Sequence, residues 1–135
     1  MKVKTFYGVQ GKYLTVTTFL NWANRGIRHS FGLHYFHRGD EDPDCHDHPF
    51  HFWSFVLWGG YREYDTMGHY LIRKPLSLVY RKATTRHRVQ LLGRCCITLV
   101  WKIDARRDWG FWKNGIFIPW RQYIDAKGLE PTVLP

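Results

Sequence analysis

Apolar and polar residues alternate with a period of two through most of the chain. The segments YLTVTTF (13–19), IRHSFGLHYF (27–36), HFWSFVLW (51–58), YREYD (61–65), HYLIRK (69–74), LSLVYR (76–81), HRVQLL (87–92) and CCITLVWK (95–102) are short and rich in β-branched and aromatic residues. Such runs predict strands that bury one face. Gly59-Gly60, Met67-Gly68 and Gly93-Arg94 read as hairpin turns between them. The best helical pattern is PWRQYIDAKG (119–128), with Pro119 at its start and Gly128 just past its end. There is no internal repeat, low-complexity segment or linker, so residues 1–135 read as a single domain. Many short strands joined by tight turns predict an all-β fold, a sandwich or a barrel of jelly-roll type, closed by a short C-terminal helix.

Composition narrows the class of partner more than the fold. A chain of 135 residues can bury a core without staples. Its aromatic content of 18%, with seven Trp, supplies core material and also the kind of side chain that lines pockets. A net charge of +9, from 20 Lys and Arg against 11 Asp and Glu, favours anionic partners. The cysteines are Cys45, Cys95 and Cys96. An odd number with two adjacent reads as reduced thiols in a reducing compartment. No secretory h-region and no bilayer-spanning apolar run is visible, which predicts a cytoplasmic protein without a membrane partner. Phosphate-loop, dinucleotide and nucleophile-elbow motifs are missing, which removes the simplest routes to those enzyme classes.

The candidate chemistry lies in DPDCHDHPFHFWSFVLWGGYRE (42–63). His46 and His48 are two residues apart, so on a strand both imidazoles face the same way. A third nitrogen must come from elsewhere, and His87, in RKATTRHRVQL, is the best candidate. Three imidazoles with an open position describe a reactive rather than a closed structural metal site, suited to Fe, Zn, Mn, Ni or Cu. Cys45 is adjacent to His46 and should point to the opposite face. Asp44 and Asp47 could instead orient one of these histidines for acid–base chemistry without metal.

HDHPFHFWSFVLWGG resembles the first motif of the cupin superfamily, and TTRHRV resembles the core of its second. Gly39, His46, His48 and Gly59 follow the order of the first motif, and His87 takes the place of the second motif's histidine ligand. Lys82 and Thr84 stand where that motif usually has Pro and Gly. Phe52 occupies the place of the usual glutamate ligand, and Trp53, the other permitted position, cannot ligate either. Glu63 and His51 are the candidates for a fourth ligand, His51 only if Pro49 introduces a bulge. The resemblance covers roughly residues 27–102. The tail (106–124) resembles that of a little-characterised family of small phage and bacterial cupins. It implies a cupin-type jelly-roll barrel and a divalent ion, Fe, Zn, Mn or Ni, on His46, His48 and His87. It further implies a small-molecule ligand in a pocket that Phe52 would line, and a homodimer in the cytoplasm (the host's, if the chain is phage-encoded). The function expected is a metal-dependent enzyme, with a lean to an oxygenase. A metal-free cupin isomerase, or a binding module for a small anion or nucleic acid, is the alternative.

The remaining signals have blander readings. Arg81, Lys82, Arg86 and Arg88 form the candidate anion or nucleic-acid patch, with Arg86 and Arg88 facing away from His87. The tail aromatics Trp109, Phe111, Trp112, Phe117 and Trp120 show no period and read as packing outside a sheet or at a dimer interface. Interleaved basic residues leave base stacking as their functional alternative. His34 and His37 read as structural, and His29 and His69 as exposed strand positions.

Overall fold

The computed structural model describes residues 1–8, 10–40 and 43–126. Within them the chain forms β1 (Lys2–Gly8), β2 (Gly11–Asn24), β3 (Ile27–Phe36), β4 (Cys45–His46), β5 (Phe50–Trp58) and β6 (Tyr61–Tyr64). There follow β7 (Tyr70–Arg73), β8 (Leu78–Arg81), β9 (Arg88–Leu91), β10 (Cys96–Asp104), β11 (Gly110–Lys113), β12 (Ile116–Pro119) and α1 (Trp120–Ala126). The predicted all-β architecture with a short C-terminal helix is what the chain adopts. The Gly128 expected beyond that helix lies outside the described residues. No described helix is long and apolar enough to cross a membrane.

One wall is a six-stranded antiparallel sheet in the order β1-β2-β3-β10-β5-β8. The rest of the barrel is two three-stranded sheets, β12-β11-β4 and β7-β6-β9. A bridge between His46 and His87 links β4 to the entrance of β9 and joins these sheets into a second wall. The period of two sorts side chains between the faces. Phe52, Ser54 and Val56 of β5 and Cys96, Thr98 and Val100 of β10 are buried, while Trp53, Leu57 and Trp101 between them are exposed. Val56, Tyr61 and Cys96 pack together with Phe36, Val89 and Leu91 and seal one part of the barrel. Burying a side chain such as Val56 contributes about 1.5–3 kcal/mol. Cys45 and Cys96 are buried free thiols, and Cys95 is free and half-buried.

Two of the predicted hairpins are crossings between walls. β5 pairs with β10 and β8, whereas β6 pairs with β7 and β9. Gly59-Gly60 therefore carries the chain from one wall to the other, at φ of 86° and 113°. Gly93-Arg94 makes a similar crossing from β9 to β10. Local sequence marks both turns but does not say which strands flank a hairpin. Met67-Gly68 does close a hairpin, between β6 and β7, where the Asp65 carboxylate accepts from the Met67 and His69 amides at 2.8 and 3.0 Å.

The tail is the larger correction. Instead of lying outside a sheet, it supplies strands β11 and β12 and a buried cluster of Trp109, Phe111 and Tyr123, with Ile118 and Trp120 against it. The signal was Asn114-Gly115 between two apolar runs. Both residues have positive φ, 52° and 76°, as a tight hairpin turn requires.

Gly59 is the tightest of the crossings, because an added Cβ would lie 2.3 Å from the Cys95 carbonyl oxygen. Gly59→Ala should cost about 1–3 kcal/mol and lower the thermal midpoint by several degrees. Gly93→Ala, where nothing lies within 4 Å of the added Cβ, should leave the midpoint unchanged. Circular-dichroism melts of the two variants make the comparison.

Candidate metal centre

The centre begins as a backbone contact. His46 N donates to the His87 carbonyl at 2.9 Å, and His87 N donates back to the His46 carbonyl at 3.0 Å. Directly paired residues on neighbouring strands present their side chains on the same face. The two rings accordingly lie 4.9 Å apart between centroids. His48 follows on the same face, its amide donating to the Ala83 carbonyl at 3.0 Å. Its ring is 5.0 Å from that of His46 and 4.8 Å from that of His87. One ring nitrogen from each of the three lies within 4.8 Å of the others. The structure thus brings together the three histidines singled out by spacing.

The neighbours of each ring prepare it for a cation. Nδ1 of His87 is 2.5 Å from Oε2 of Glu63, which leaves Nε2 free to face the centre. Glu63 also accepts from Nε and Nη2 of Arg81 and from Nε of Arg73. Burial would raise the Glu63 carboxyl, but its bonds to His87 and Arg81 prevail and hold it well below the usual carboxylate range. Nδ1 of His48 is buried with no protein partner, a cost that a bound ion could remove. Burial, partly offset by the Asp40 carboxylate, lowers His46 to about 4. Burial first, and then the charges around it, push His48 well below its ordinary value. Both rings are therefore neutral at neutral pH, the form that binds metal. A donor set of imidazole nitrogens, two of them desolvated and one oriented by a carboxylate, fits a divalent transition ion.

Neither candidate for a fourth ligand joins the three rings. Glu63 lies behind His87 and spends its oxygens on His87, Arg81 and Arg73. His51 points away from the inner face, where its Nδ1 accepts the Ala83 amide at 2.9 Å. Phe52 packs against His48 at 4.8 Å, with the Arg81 guanidinium over its ring at 5.4 Å. It borders the histidines on the barrel side. It does not line the open cleft of about 480 Å³ that runs from Glu63, Arg81 and His87 out between Tyr64, Tyr70 and Tyr80.

The expected basic patch is also corrected. Arg81 is 4% exposed and serves Glu63 and Tyr61 from inside the barrel. Of the other members, Lys82 and Arg86 reach solvent, with Arg86 stacked 3.3 Å over Trp112, and Arg88 covers Tyr64 at 4.3 Å. The four do not form one surface. The two aspartates assigned to histidine orientation are engaged elsewhere. Asp44 accepts from Tyr123 at 2.9 Å. Asp47, 1% exposed, accepts from the Gly110 amide, Trp112 Nε1 and Arg107 Nη2 at 2.8, 3.1 and 3.0 Å. Arg107 also donates to the His48 and Ala83 carbonyls. Trp109 and Phe111 then pack against the His46 ring, at 6.1 and 6.0 Å. The spacing of the sequence gave no hint of these tail contacts, because they join residues some sixty positions apart.

No family profile matches the chain, and no curated protein matches it. Solved structures do. An RmlC-like cupin from Ralstonia eutropha JMP134 superimposes with a TM-score of 0.58 at 20% identity, covering 96% of this chain and 86% of its own. The chain has the cupin fold. A conserved protein with a double-stranded β-helix domain from Klebsiella pneumoniae agrees, with a TM-score of 0.56 at 14% identity over 76% of this chain and 86% of that one. The iron(II) form of HppE superimposes with a TM-score of 0.57 at 10% identity over 75% of this chain. This cupin barrel spans only 56% of the length of HppE.

The depressed histidines set a pH dependence. An unfolded chain protonates such rings near pH 6.5, whereas folded His46 resists protonation down to about 4. Metal-free protein should hold its full stability above pH 6.5 and lose it as the pH falls towards 4. For His46 alone the loss is roughly 2 kcal/mol by pH 5. Urea midpoints at pH 7.5 and 5.0 measure it, and equal midpoints would contradict the buried, neutral rings.

Proposed function

We propose that this cupin is a small metal-dependent enzyme whose centre is a divalent ion on His46, His48 and His87, acting on a small molecule bound in the barrel. The convergence of three imidazoles, with His87 held by Glu63 and a buried His48 nitrogen left unpartnered, carries the reading. The fold it shares with iron(II) HppE is compatible with such a centre. With Phe52 in place of a carboxylate, the ligand set is neutral and the ion keeps its full charge. Such an ion supplies Lewis-acid activation of a carbonyl or of water, or oxygen chemistry if it is iron. We favour the oxygenase form, and the identity of the metal decides it.

The protein's own groups have defined parts in this scheme. Glu63 fixes the tautomer of His87 and raises its basicity as a ligand, while Arg81 and Arg73 hold Glu63 ionised. Phe50 and Phe52 keep the His48 side of the centre apolar and exclude water. Trp109 and Phe111 do the same for His46.

One observation favours a second reading. The Glu63–His87 pair is a histidine beside a carboxylate, an arrangement that can move protons without metal. Metal analysis separates the two. Protein purified without a His tag should carry about one transition ion per chain, and His87→Ala should lose it. Glu63→Gln should keep the fold and weaken metal affinity by about 10–100-fold. Metal-free protein whose melting is unmoved by a chelator would overturn the metal reading and leave the acid–base one.

A further inference from the structure

Among the described residues, the buried carboxylates all have donors, and one partly buried cation has no anion. Asp40 accepts from the Tyr13 hydroxyl and the Val89 amide, both at 2.6 Å. Asp47 is met by Arg107, and Glu63 by Arg81, Arg73 and His87. Lys102 has no such match. It lies on β10, directly across from Phe52, which in turn pairs with Arg81 on β8. It shares the inward face with buried Thr98 and Val100. Its Nζ rests 4.7 Å over the ring of Phe50, whose other neighbours are His48 and Phe52. Among the described residues no hydrogen bond or ion pair joins the Lys102 side chain to the protein.

A half-buried ammonium without an anion is costly, and a ring face compensates it only in part. Burial lowers the Lys102 ammonium to about 8, so at neutral pH the charge is still present. One ring separates it from the candidate centre, because the Phe50 ring beneath Nζ lies 5.6 Å from the His48 ring. The residue facing Lys102 across the strands is the Phe52 ring, which offers no counter-charge. Thr98, on the same face of β10, has a buried hydroxyl without a partner, like Nδ1 of His48. The inner wall thus holds an unmatched positive charge and unmet hydrogen-bonding capacity, and a bound divalent ion would add to the charge.

We propose that Lys102 anchors the anionic group of the substrate, so that the barrel takes a small carboxylate- or phosphate-bearing molecule held between Lys102 and the His46–His48–His87 centre. The contact to the centre rests on the metal reading, and the contact to Lys102 does not. The phenyl rings of Phe50 and Phe52 would flank the apolar part of such a ligand. Lys102 is then a binding and specificity residue for an oxyanion.

Calorimetric titration with acetate and with inorganic phosphate tests this, using metal-free and cobalt(II)-loaded protein. Wild type should bind at least one probe. Lys102→Met should weaken that binding at least tenfold, while metal content stays the same and the thermal midpoint stays or rises. Lys102→Arg should retain binding within about threefold. A response to acetate alone assigns the site to carboxylates, and a response to phosphate alone to phosphates. If wild type takes up no cobalt(II) but still binds a probe that Lys102→Met loses, the anchor stands and the metal centre falls. Equal binding by wild type and Lys102→Met, or no binding of either probe by wild type in either form, would overturn the proposal.

Discussion

The paired backbone hydrogen bonds between His46 and His87 are the contact on which the rest of the structure depends. They join two three-stranded sheets into one wall of the barrel. They also place the two imidazoles on the same face of neighbouring strands. The same two bonds therefore serve the fold and the site. A strand pairing is a rigid way to position side chains, because register and facing are set together. His48 needs no separate device, since it follows His46 at the strand period and its amide is pinned to Ala83.

Around that contact the charges are arranged in shells. Glu63 sits behind His87 and is itself held by two arginines, so its negative charge is spent on orientation and not offered to an ion. Asp47 lies between His46 and His48 in sequence but faces the other way, where it holds the tail through Gly110, Trp112 and Arg107. A carboxylate so buried is tolerated because every neighbour is a donor. The alternation His46-Asp47-His48 thus gives one extended segment two tasks. Its inner face supplies imidazoles, and its outer face locks the C-terminal hairpin against the barrel.

Much of this was legible from residue spacing. Eight of the strands could be read from the period of two, and the three histidines from His-x-His and a later histidine. Residue types with strong local preferences carried those signals. The role of Glu63 was only half legible. Its position after the Gly59-Gly60 turn marked it as a possible neighbour of the centre, but whether it would ligate or orient depended on which side of His87 it reached. Arg81 was misread for a similar reason. An arginine on an alternating strand normally faces water, and only the buried Glu63 and Tyr61 turn that face inward. The tail was missed because its aromatic residues follow no period, and their partners lie far away in sequence.

What the sequence alone determined was the all-β class, most strand positions, the facing of His46 and His48 and the absence of a carboxylate at Phe52. These follow from periodicity, turn chemistry and residue identity, which act over a few neighbouring positions. Tertiary structure decided which strands pair across Gly59-Gly60 and that His87 meets His46 through its backbone. It also decided that Glu63 and Arg81 form a buried pair and that, among the described residues, the Lys102 side chain is left without one. These depend on contacts between distant residues, where burial makes an ion pair or an unmatched charge matter far more than it would in water.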